Sequence, residues 1–419
     1  MTTDAPTTDA SAGSCDPRFA QVREEFERNF AERDEGGASV CVTVDGEVVV
    51  DLWGGDADED GRPWKRDTIV PVWSSTKGAV ALCAHILAAS GQLDFNAPVA
   101  HYWPEFAQNG KENIPVRMLL NHQAGLAVVR EPLPEYGYSD WDTVVGLLAA
   151  QQPLWEPGTR SGYHALTFGH LVGEVVRRVT GQTIGGFFRE TVAGPLGADF
   201  WIGLPEEHEG RVAQSIAADL PTHLEQLPEF LRNALTDPTS IPAQIMLNSG
   251  GFMFPSSTAD RQINSRRFHA AEFPAAGGLA NGRGLATMYR ALALGGTVDG
   301  VRLVDRAQVV EMAEVSSASE IDMTVGLPTR WTLGFHPALD RTGLPGEDNS
   351  VLFAPGAFGH SGAGGAVGFA DPAARMSFGY AMTKQGDGVG LNSRGQSLVD
   401  AVYGALGYQR GRGLWFTNV

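Results

Sequence analysis

The chain has 419 residues, of which 43% are hydrophobic, so it can bury a large core as one large domain or two closely packed ones. Acidic residues outnumber basic ones by 49 to 31, and the resulting net charge of −18 disfavours binding to nucleic acid or to an anionic membrane surface. No apolar run reaches the length of a membrane span, and 3 cysteines are too few for a disulfide framework.

The N-terminal segment, residues 1–15, is small and polar, which predicts disorder. It lacks the basic start and apolar stretch of a secretion signal, so we predict a cytoplasmic protein in a reducing compartment. An Asp-Pro pair then begins a helix with one apolar face, formed by Phe19, Val22, Phe26 and Phe30. This apolar face is predicted to pack against a β-sheet.

Two predicted β-hairpins lie at opposite ends of the chain. The first joins residues 39–44 to 47–52 through an Asp-Gly turn, and the second joins residues 364–370 to 375–382. An amphipathic helix near residues 397–406 follows the second hairpin. The helix and hairpin at one end, and the hairpin and helix at the other, predict one antiparallel sheet to which both ends contribute.

The most informative stretch is VWSSTKGAVALCAHILAASG, in which an apolar helix begins with Ser74 and Lys77. Residues three apart share a helix face, so the serine hydroxyl and the lysine amine can meet. A serine becomes a strong nucleophile when a base takes its proton, and an amine can be that base if burial lowers its pKa. The helix N-terminus also offers backbone N–H groups to a developing oxyanion. The pattern therefore indicates serine-based acyl chemistry.

The middle of the chain is predicted to be mainly helical. Helical periodicity marks residues 115–120, 141–151 and 167–180, and glycines separate these segments. Over residues 204–274 the pattern weakens, and prolines with scattered aromatic residues predict long loops and short helices of the kind that often cover a pocket.

These elements predict an α+β protein, organised as an α/β sandwich. Its antiparallel sheet is flanked by helices and built from both chain ends, and a mainly helical region is inserted between them. The predicted sandwich domain comprises residues 16–75 and 275–419. The predicted helical domain, with its long loops, comprises residues 76–274, and the site is expected in the cleft between the two.

Six motifs follow one another along the chain: WSSTK, LDFNAPVAHYWPEF, IPVRMLLNHQAGL, WEPGTRSGYHALTFGHLVGEVVRRVTG, TVAGPLGAD and FGHSGAGG. Their order resembles that of the serine hydrolases related to class C β-lactamases and penicillin-binding proteins, and the motifs are most like those of family VIII carboxylesterases. The resemblance covers most of residues 20–405 and is weaker over 204–274. It implies a β-lactamase-like fold and a reaction that requires no metal and no organic cofactor.

In the resembled family, a Tyr-x-Asn motif supplies a phenol that shuttles protons together with the lysine. The matching string here is Tyr163–His164–Ala165, so the tyrosine is present and the asparagine is replaced. The resemblance implies that Lys77 and Tyr163 serve as general base and acid for the nucleophile Ser74. A phenol ordinarily titrates near about pH 10, so a tyrosine base needs a neighbouring cation, for which Lys77 is the candidate.

The third family motif, Lys-Thr-Gly on an edge strand, corresponds here to His360, Ser361 and Gly362. The resemblance implies that these residues bind substrate, and a histidine in place of the lysine is similar to the esterases of the superfamily. Gly362 would let a substrate approach the strand backbone closely. The N–H groups of Ser74 and Ala363 would form the oxyanion hole, as the resemblance implies.

We therefore predict a serine hydrolase that cleaves carboxylic esters of small or medium acyl groups through a Ser74 acyl-enzyme. The predicted partner is a small-molecule ester, with no nucleic acid and no membrane, and the sequence leaves monomer and homo-oligomer open. A β-lactamase, D-amino-peptidase or amide hydrolase using the same residues remains an alternative, as does a catalytically silent binding or scaffold protein. His164 and His170 have no third ligand at metal spacing, so no metal site is predicted.

Overall fold

The structure is a computed structural model that describes residues 11–219, 223–249, 261–341, 350–386, 390–411 and 413–417. Its strands, in chain order, are β1 (Ala12–Cys15), β2 (Gly37–Val44), β3 (Glu47–Gly55), β4 (Val70–Pro71), β5 (Phe200–Trp201), β6 (Leu279–Ala280), β7 (Thr297–Val298), β8 (Val301–Arg302), β9 (Ser317–Ser319), β10 (Thr329–Trp331), β11 (His336–Pro337), β12 (Phe358–Ser361), β13 (Val367–Asp371), β14 (Met376–Met382), β15 (Gln409–Gly411) and β16 (Leu414–Phe416).

The helices, in chain order, are α1 (Ala20–Glu32), α2 (Thr76–Ala89), α3 (Val99–Tyr102), α4 (Val116–Leu120), α5 (Trp141–Ala150), α6 (Thr167–Thr180), α7 (Ile184–Phe188), α8 (Gly194–Leu196), α9 (Glu229–Thr236), α10 (Ile241–Leu247), α11 (Arg266–Ala270), α12 (Gly282–Ala293), α13 (Arg306–Ala313) and α14 (Ser393–Ala405). Within the described residues, no helix is both long and apolar enough to span a bilayer.

The main sheet has 7 strands in the order β1-β3-β2-β14-β13-β12-β11, and its adjacent strands run antiparallel. The β2–β3 hairpin turns at Asp45 and Gly46, which both have positive φ, at 52° and 88°. Such a turn matches the natural twist of the two strands. Strand β2 from the N-terminal part pairs with β14 from the C-terminal part, with Val42 opposite Phe378. The prediction that both chain ends build one antiparallel sheet is therefore confirmed.

The predicted N-terminal disorder is wrong for Ala12–Cys15, because these residues form the edge strand β1 against β3. Gly13 has a φ of 107°, and a Cβ on it would lie 2.0 Å from the carbonyl oxygen of Asp51. The strand depends on this close backbone approach and on the unpaired edge of β3, which composition does not reveal. Residues 1–10 lie outside the described part of the chain.

Helices cover the main sheet, and two paired glycines determine how closely one of them lies. Gly368 on β13 is opposite Gly379 on β14, and α12 packs directly against both strands. A Cβ on Gly379 would lie 2.1 Å from the carbonyl oxygen of Gly282, so the helix rests on bare strand backbone. Alternate residues point to the opposite face. There Phe369 stacks on Phe353 with ring centroids 4.0 Å apart.

The helical region meets this sheet at the start of α2. Helix α2 packs against α6 and α7, while its first turn contacts the end of β12. Strand β4 leads directly into this start and pairs with β6, whose other neighbour is β5. The fold thus brings the N-terminus of α2, the end of β12 and the segment before β6 to one place.

Candidate active site

Ser74 lies in a short 3-10 turn, Trp73–Ser75, that runs into α2. Trp73 has a φ of 50°, a left-handed conformation that is unfavourable for a bulky residue by about 1–3 kcal/mol. The Thr76 hydroxyl stabilises the turn by donating to the Trp73 carbonyl at 2.6 Å. Ser74 is partly exposed, whereas Ser75 is 0% exposed. The sharp turn therefore leaves Ser74 partly exposed and buries its neighbour.

The end of β12 is packed directly on this turn. A Cβ on Gly362 would lie 2.3 Å from the carbonyl oxygen of Val72 and 3.1 Å from the Cβ of Trp73. The sequence suggested that Gly362 admits a substrate to the strand backbone. In the structure, the close approach is made by the chain itself. Gly362 therefore joins the third motif to the turn that carries Ser74.

Lys77 is fully buried in the first turn of α2, and its Nζ contacts three oxygens. These are Ser74 Oγ at 2.9 Å, the Ala165 carbonyl at 2.8 Å and the Ala275 carbonyl at 2.8 Å. Among the described residues, no carboxylate forms a salt bridge with Lys77. Burial without a counter-charge places the pKa of Lys77 well below its ordinary value.

The three contacts of the Lys77 amine assign a direction to each hydrogen bond. The carbonyls of Ala165 and Ala275 can only accept, so both hydrogens of a neutral amine are directed to them. The nitrogen lone pair then faces Ser74, whose hydroxyl can donate to it. This is the geometry required of a general base before a serine attacks a substrate.

Tyr163 lies beside both Ser74 and Lys77. Its ring centroid is 4.8 Å from Lys77 Nζ. Burial raises the pKa of Tyr163 above its ordinary value, and a hydrogen bond with Ser74 partly offsets that increase. The sequence argument required a cation to make the phenol a base, but burial favours the neutral amine and the neutral phenol. Burial thus leaves Lys77 able to accept a proton and leaves Tyr163 holding one.

The segment around Tyr163 is held by two neutral histidines. His164 donates through Nδ1 to the Gly162 carbonyl at 2.7 Å, and its Nε2 accepts from the Leu126 N–H at 3.1 Å. The His164 N–H donates in turn to Nδ1 of His122 at 3.1 Å. Burial lowers the pKa of His164 to about 4. These histidines brace the loop that carries Tyr163.

The third motif forms a buried wall beside Tyr163. His360 is 2% exposed and donates through Nδ1 to the Ser361 carbonyl at 2.7 Å. Burial, with His336 and Lys77 nearby, holds the pKa of His360 well below its ordinary value, so the ring is neutral at pH 7. The Ser361 N–H donates to Nε2 of His336 at 2.7 Å. The imidazole ring that takes the place of the motif's lysine therefore carries no charge.

Ala363 lies in the β12–β13 turn. Gly364 and Gly365 have φ values of 82° and 112°, which form the turn. Among the described residues, no hydrogen-bond acceptor faces the Ala363 N–H. Gln385 donates to the Ala363 carbonyl at 3.3 Å and accepts from Arg261 at 2.7 Å. The turn is thus fixed while its N–H remains available to an oxyanion.

Sequence reasoning missed the aromatic and acidic residues that surround Tyr163. Trp331 stacks on the Tyr163 ring with centroids 5.0 Å apart and planes 6° apart. Asp322 binds the Tyr163 backbone. Tyr163, Trp331, His360 and Ser361 also line a cavity of 40 Å³. Neither Trp331 nor Asp322 lies in a recognisable motif, and each follows Tyr163 by more than 150 residues in the sequence.

The larger cavities do not mark this site. A groove of 680 Å³ lies between α12, α13 and the β13–β14 hairpin, and none of Ser74, Lys77 or Tyr163 lines it. In the described part of the chain, no group of three His, Cys, Asp or Glu side chains could hold a metal ion. The chemistry supported by the geometry is that of Ser74 and its two partners.

Comparison with known proteins gives consistent matches over almost the whole chain. The Beta-lactamase family model matches residues 24–402. The esterase/beta-lactamase LipL of Mycobacterium tuberculosis (strain ATCC 25618 / H37Rv) is 38% identical over 380 residues, which cover 87% of this chain and 81% of LipL. A crystal structure of a family VIII carboxylesterase is 40% identical, with a TM-score of 0.81 and coverage of 94% of this chain and 99% of the other.

A penicillin-binding protein homologue from Caulobacter crescentus gives a similar match. It is 37% identical, with a TM-score of 0.80, and the alignment covers 94% of this chain and 99% of that one. The predicted family resemblance and the predicted β-lactamase-like fold are both confirmed by these matches.

The lowered pKa of Lys77 predicts how the reactivity of Ser74 depends on pH. An amine accepts a proton only above its pKa, so phosphonylation of Ser74 by a fluorophosphonate should accelerate as pH rises from acid. The rate should level off well below about pH 10, the ordinary lysine pKa, because burial lowers the pKa of Lys77. Intact-mass spectrometry would measure the rate between about pH 4 and pH 11. Lys77→Met should be slow throughout, and acceleration only near about pH 10, the ordinary lysine pKa, would contradict the assignment.

Proposed function

Because the chain belongs to the beta-lactamase family, we propose that it hydrolyses carboxylic esters of small or medium acyl groups through a Ser74 acyl-enzyme. The chain is a serine hydrolase. The ester substrate, the size of its acyl group and the role of Ser74 belong to the proposal. The observation that carries it is the set of three contacts made by Lys77 Nζ, which directs the amine lone pair at Ser74. The esterase names of LipL and of the structural relative support the substrate class.

Acylation begins when Ser74 Oγ attacks the ester carbonyl carbon. Lys77 Nζ takes the hydroxyl proton as the new C–O bond forms. The carbonyl oxygen becomes negative and accepts hydrogen bonds from the N–H groups of Ser74 and Ala363. The tetrahedral intermediate then collapses and breaks the bond to the alkoxide. Tyr163 donates its proton to the alkoxide and recovers one from Lys77, so the alcohol leaves and the acyl-enzyme remains.

Deacylation uses the same groups. A water molecule attacks the acyl carbon while Lys77 Nζ accepts its proton, and Tyr163 passes a proton to Ser74 Oγ and recovers one from Lys77. The bond to Ser74 Oγ then breaks, and the serine regains a hydrogen as the carboxylic acid departs. Every proton in the cycle moves among Ser74, Lys77 and Tyr163. The proposed reaction consumes only ester and water.

Two departures from the lactamase pattern favour esters over lactams. The neutral His360 replaces a cationic lysine that would attract a substrate carboxylate. Ala165 replaces an asparagine, and only its backbone carbonyl contacts Lys77. An ester substrate requires neither a cationic side chain to hold a carboxylate nor protonation of a leaving nitrogen. The 40 Å³ cavity beside Tyr163, which Arg330 and Arg341 also line, has room for only a small group.

Lactam hydrolysis is the second candidate function, and one observation favours it. The relative LipL carries both esterase and beta-lactamase in its name. Ser74, in the same geometry, can attack a strained lactam carbonyl, so we expect lactam turnover as the slower activity.

We also propose a reducing cellular compartment, because Cys41 and Cys83 are free thiols inside the core.

Substitution of the two adjacent serines distinguishes the nucleophile. Ser74→Ala should lower kcat for a p-nitrophenyl ester by at least about a thousandfold, because no acyl-enzyme can form. Ser75→Ala is the matched control and should stay within about twofold of the parent, since the Ser75 side chain is fully buried. Steady-state kinetics and acyl-enzyme mass spectrometry would report both. An inactive Ser75→Ala with an active Ser74→Ala would refute the proposed register.

The preference for esters is tested by comparing two substrates on one preparation. The ratio kcat/KM for a short-chain p-nitrophenyl ester should exceed that for a chromogenic cephalosporin by at least about a hundredfold. The reason is that neutral His360 replaces the lysine that would hold the carboxylate of the cephalosporin. Ser74→Ala serves as the blank for both. Lactam efficiency equal to or above that of every ester tried would overturn the ester assignment and favour a lactamase or amide hydrolase.

A further inference from the structure

The carboxylate of Asp322 is buried beside the site, in the segment between β9 and β10. Its side chain is surrounded by protein, and the residue is 1% exposed. Burial of a carboxylate is unfavourable unless hydrogen bonds replace its water. The hydrogen bonds of Asp322 therefore indicate what the residue does.

Four donors point at this carboxylate. The Tyr163 N–H approaches its two oxygens at 2.9 and 3.1 Å. The Thr324 and Val325 N–H groups bind Oδ1 at 2.9 and 3.1 Å, and the Thr329 hydroxyl binds Oδ2 at 3.1 Å. Because every contact is a donor, the ionised form satisfies all of them. The carboxylate joins its own loop to the backbone of Tyr163.

The same loop also holds the Tyr163 ring. Trp331 lies at the end of β10, and its ring stacks on the phenol ring in a nearly parallel arrangement. Thr329 begins that strand and is bonded to Asp322. The backbone and the ring of Tyr163 are thus both held by the segment that runs from Asp322 to Trp331.

We propose that Asp322 is a positioning residue for acyl transfer, which fixes the Tyr163 backbone so that the phenol reaches Ser74. This inference rests on the proposed function of Tyr163 as proton donor. Asp322 does not touch the reacting atoms. It acts through the peptide N–H of Tyr163, which has no other acceptor among the described residues.

The proposal predicts a loss of rate without a loss of substrate binding. Asp322→Asn puts an amide NH₂ against N–H donors and releases part of the Tyr163 backbone. A catalytic group displaced by about 1 Å can cost about a hundredfold in rate. We expect kcat for a p-nitrophenyl ester to fall by about 10- to 100-fold, while KM changes by less than about threefold.

A double-mutant cycle separates positioning from general destabilisation. In a Tyr163→Phe background, Asp322→Asn should lower kcat no further, because the hydroxyl that Asp322 positions is already absent. Equal fold-losses in the two backgrounds would overturn the proposal, as would an unchanged kcat in Asp322→Asn. Full activity of Tyr163→Phe would overturn it as well, since Asp322 would then have nothing to act through.

A milder pair of variants covers the case in which Asp322→Asn does not fold. Thr329→Val removes one hydrogen-bond donor from the Asp322 carboxylate. Thr332→Val removes a buried hydroxyl just after this segment, and that hydroxyl does not contact Asp322. We expect Thr329→Val to lower kcat by about two- to fivefold only when Tyr163 is present, and Thr332→Val to leave it unchanged. Identical kcat values for the two variants would overturn the proposal.

The outcome is distinct from a failure of the proposed function. Ester turnover that survives Ser74→Ala would refute the acyl-enzyme, whatever Asp322 does. Ser74-dependent turnover that is insensitive to Asp322 and Thr329 would refute the positioning role alone. Thermal unfolding of each variant would confirm that kcat is compared among folded proteins.

Discussion

The buried amine of Lys77 is the interaction on which the site depends. It is held by carbonyls from two distant segments, at Ala165 and Ala275, and by the side chain of Ser74. No carboxylate of the described residues pairs with Lys77, so burial favours the neutral amine. One side chain thus links the turn that carries Ser74, the Tyr163 loop and the segment before β6, and the proposed proton transfer depends on it.

The surrounding fold keeps this arrangement in place by close backbone packing. Gly362 brings the end of β12 against Val72, and the left-handed Trp73 follows immediately. Such a conformation persists only where the neighbouring structure requires it. The Thr76 side chain bridges the Trp73 carbonyl and the Gly278 N–H, at 2.6 and 2.9 Å. The end of β12, the start of α2 and the segment before β6 therefore all constrain the position of Ser74.

The sequence predicted what depends on local pattern and missed what depends on contact between distant segments. The spacing of Ser74 and Lys77 predicted that their side chains meet, and hairpin signals placed both chain ends in one sheet. Ala275 could not be predicted, because its contribution is a carbonyl that any residue carries. Asp322 likewise acts on a peptide N–H 159 residues away. The edge strand at Ala12–Cys15 has no side-chain pattern, since it depends on the unpaired edge of β3.

The charge of Lys77 is the most direct test of the account. The chain has only four lysines, so ¹⁵N NMR of the side-chain nitrogens can resolve Lys77, with Lys77→Met to assign its signal. The account predicts that the Lys77 amine loses its proton well below about pH 10, the ordinary lysine pKa, because burial lowers its pKa. An ammonium signal at pH 7 that titrates near about pH 10, like that of an exposed lysine, would contradict it.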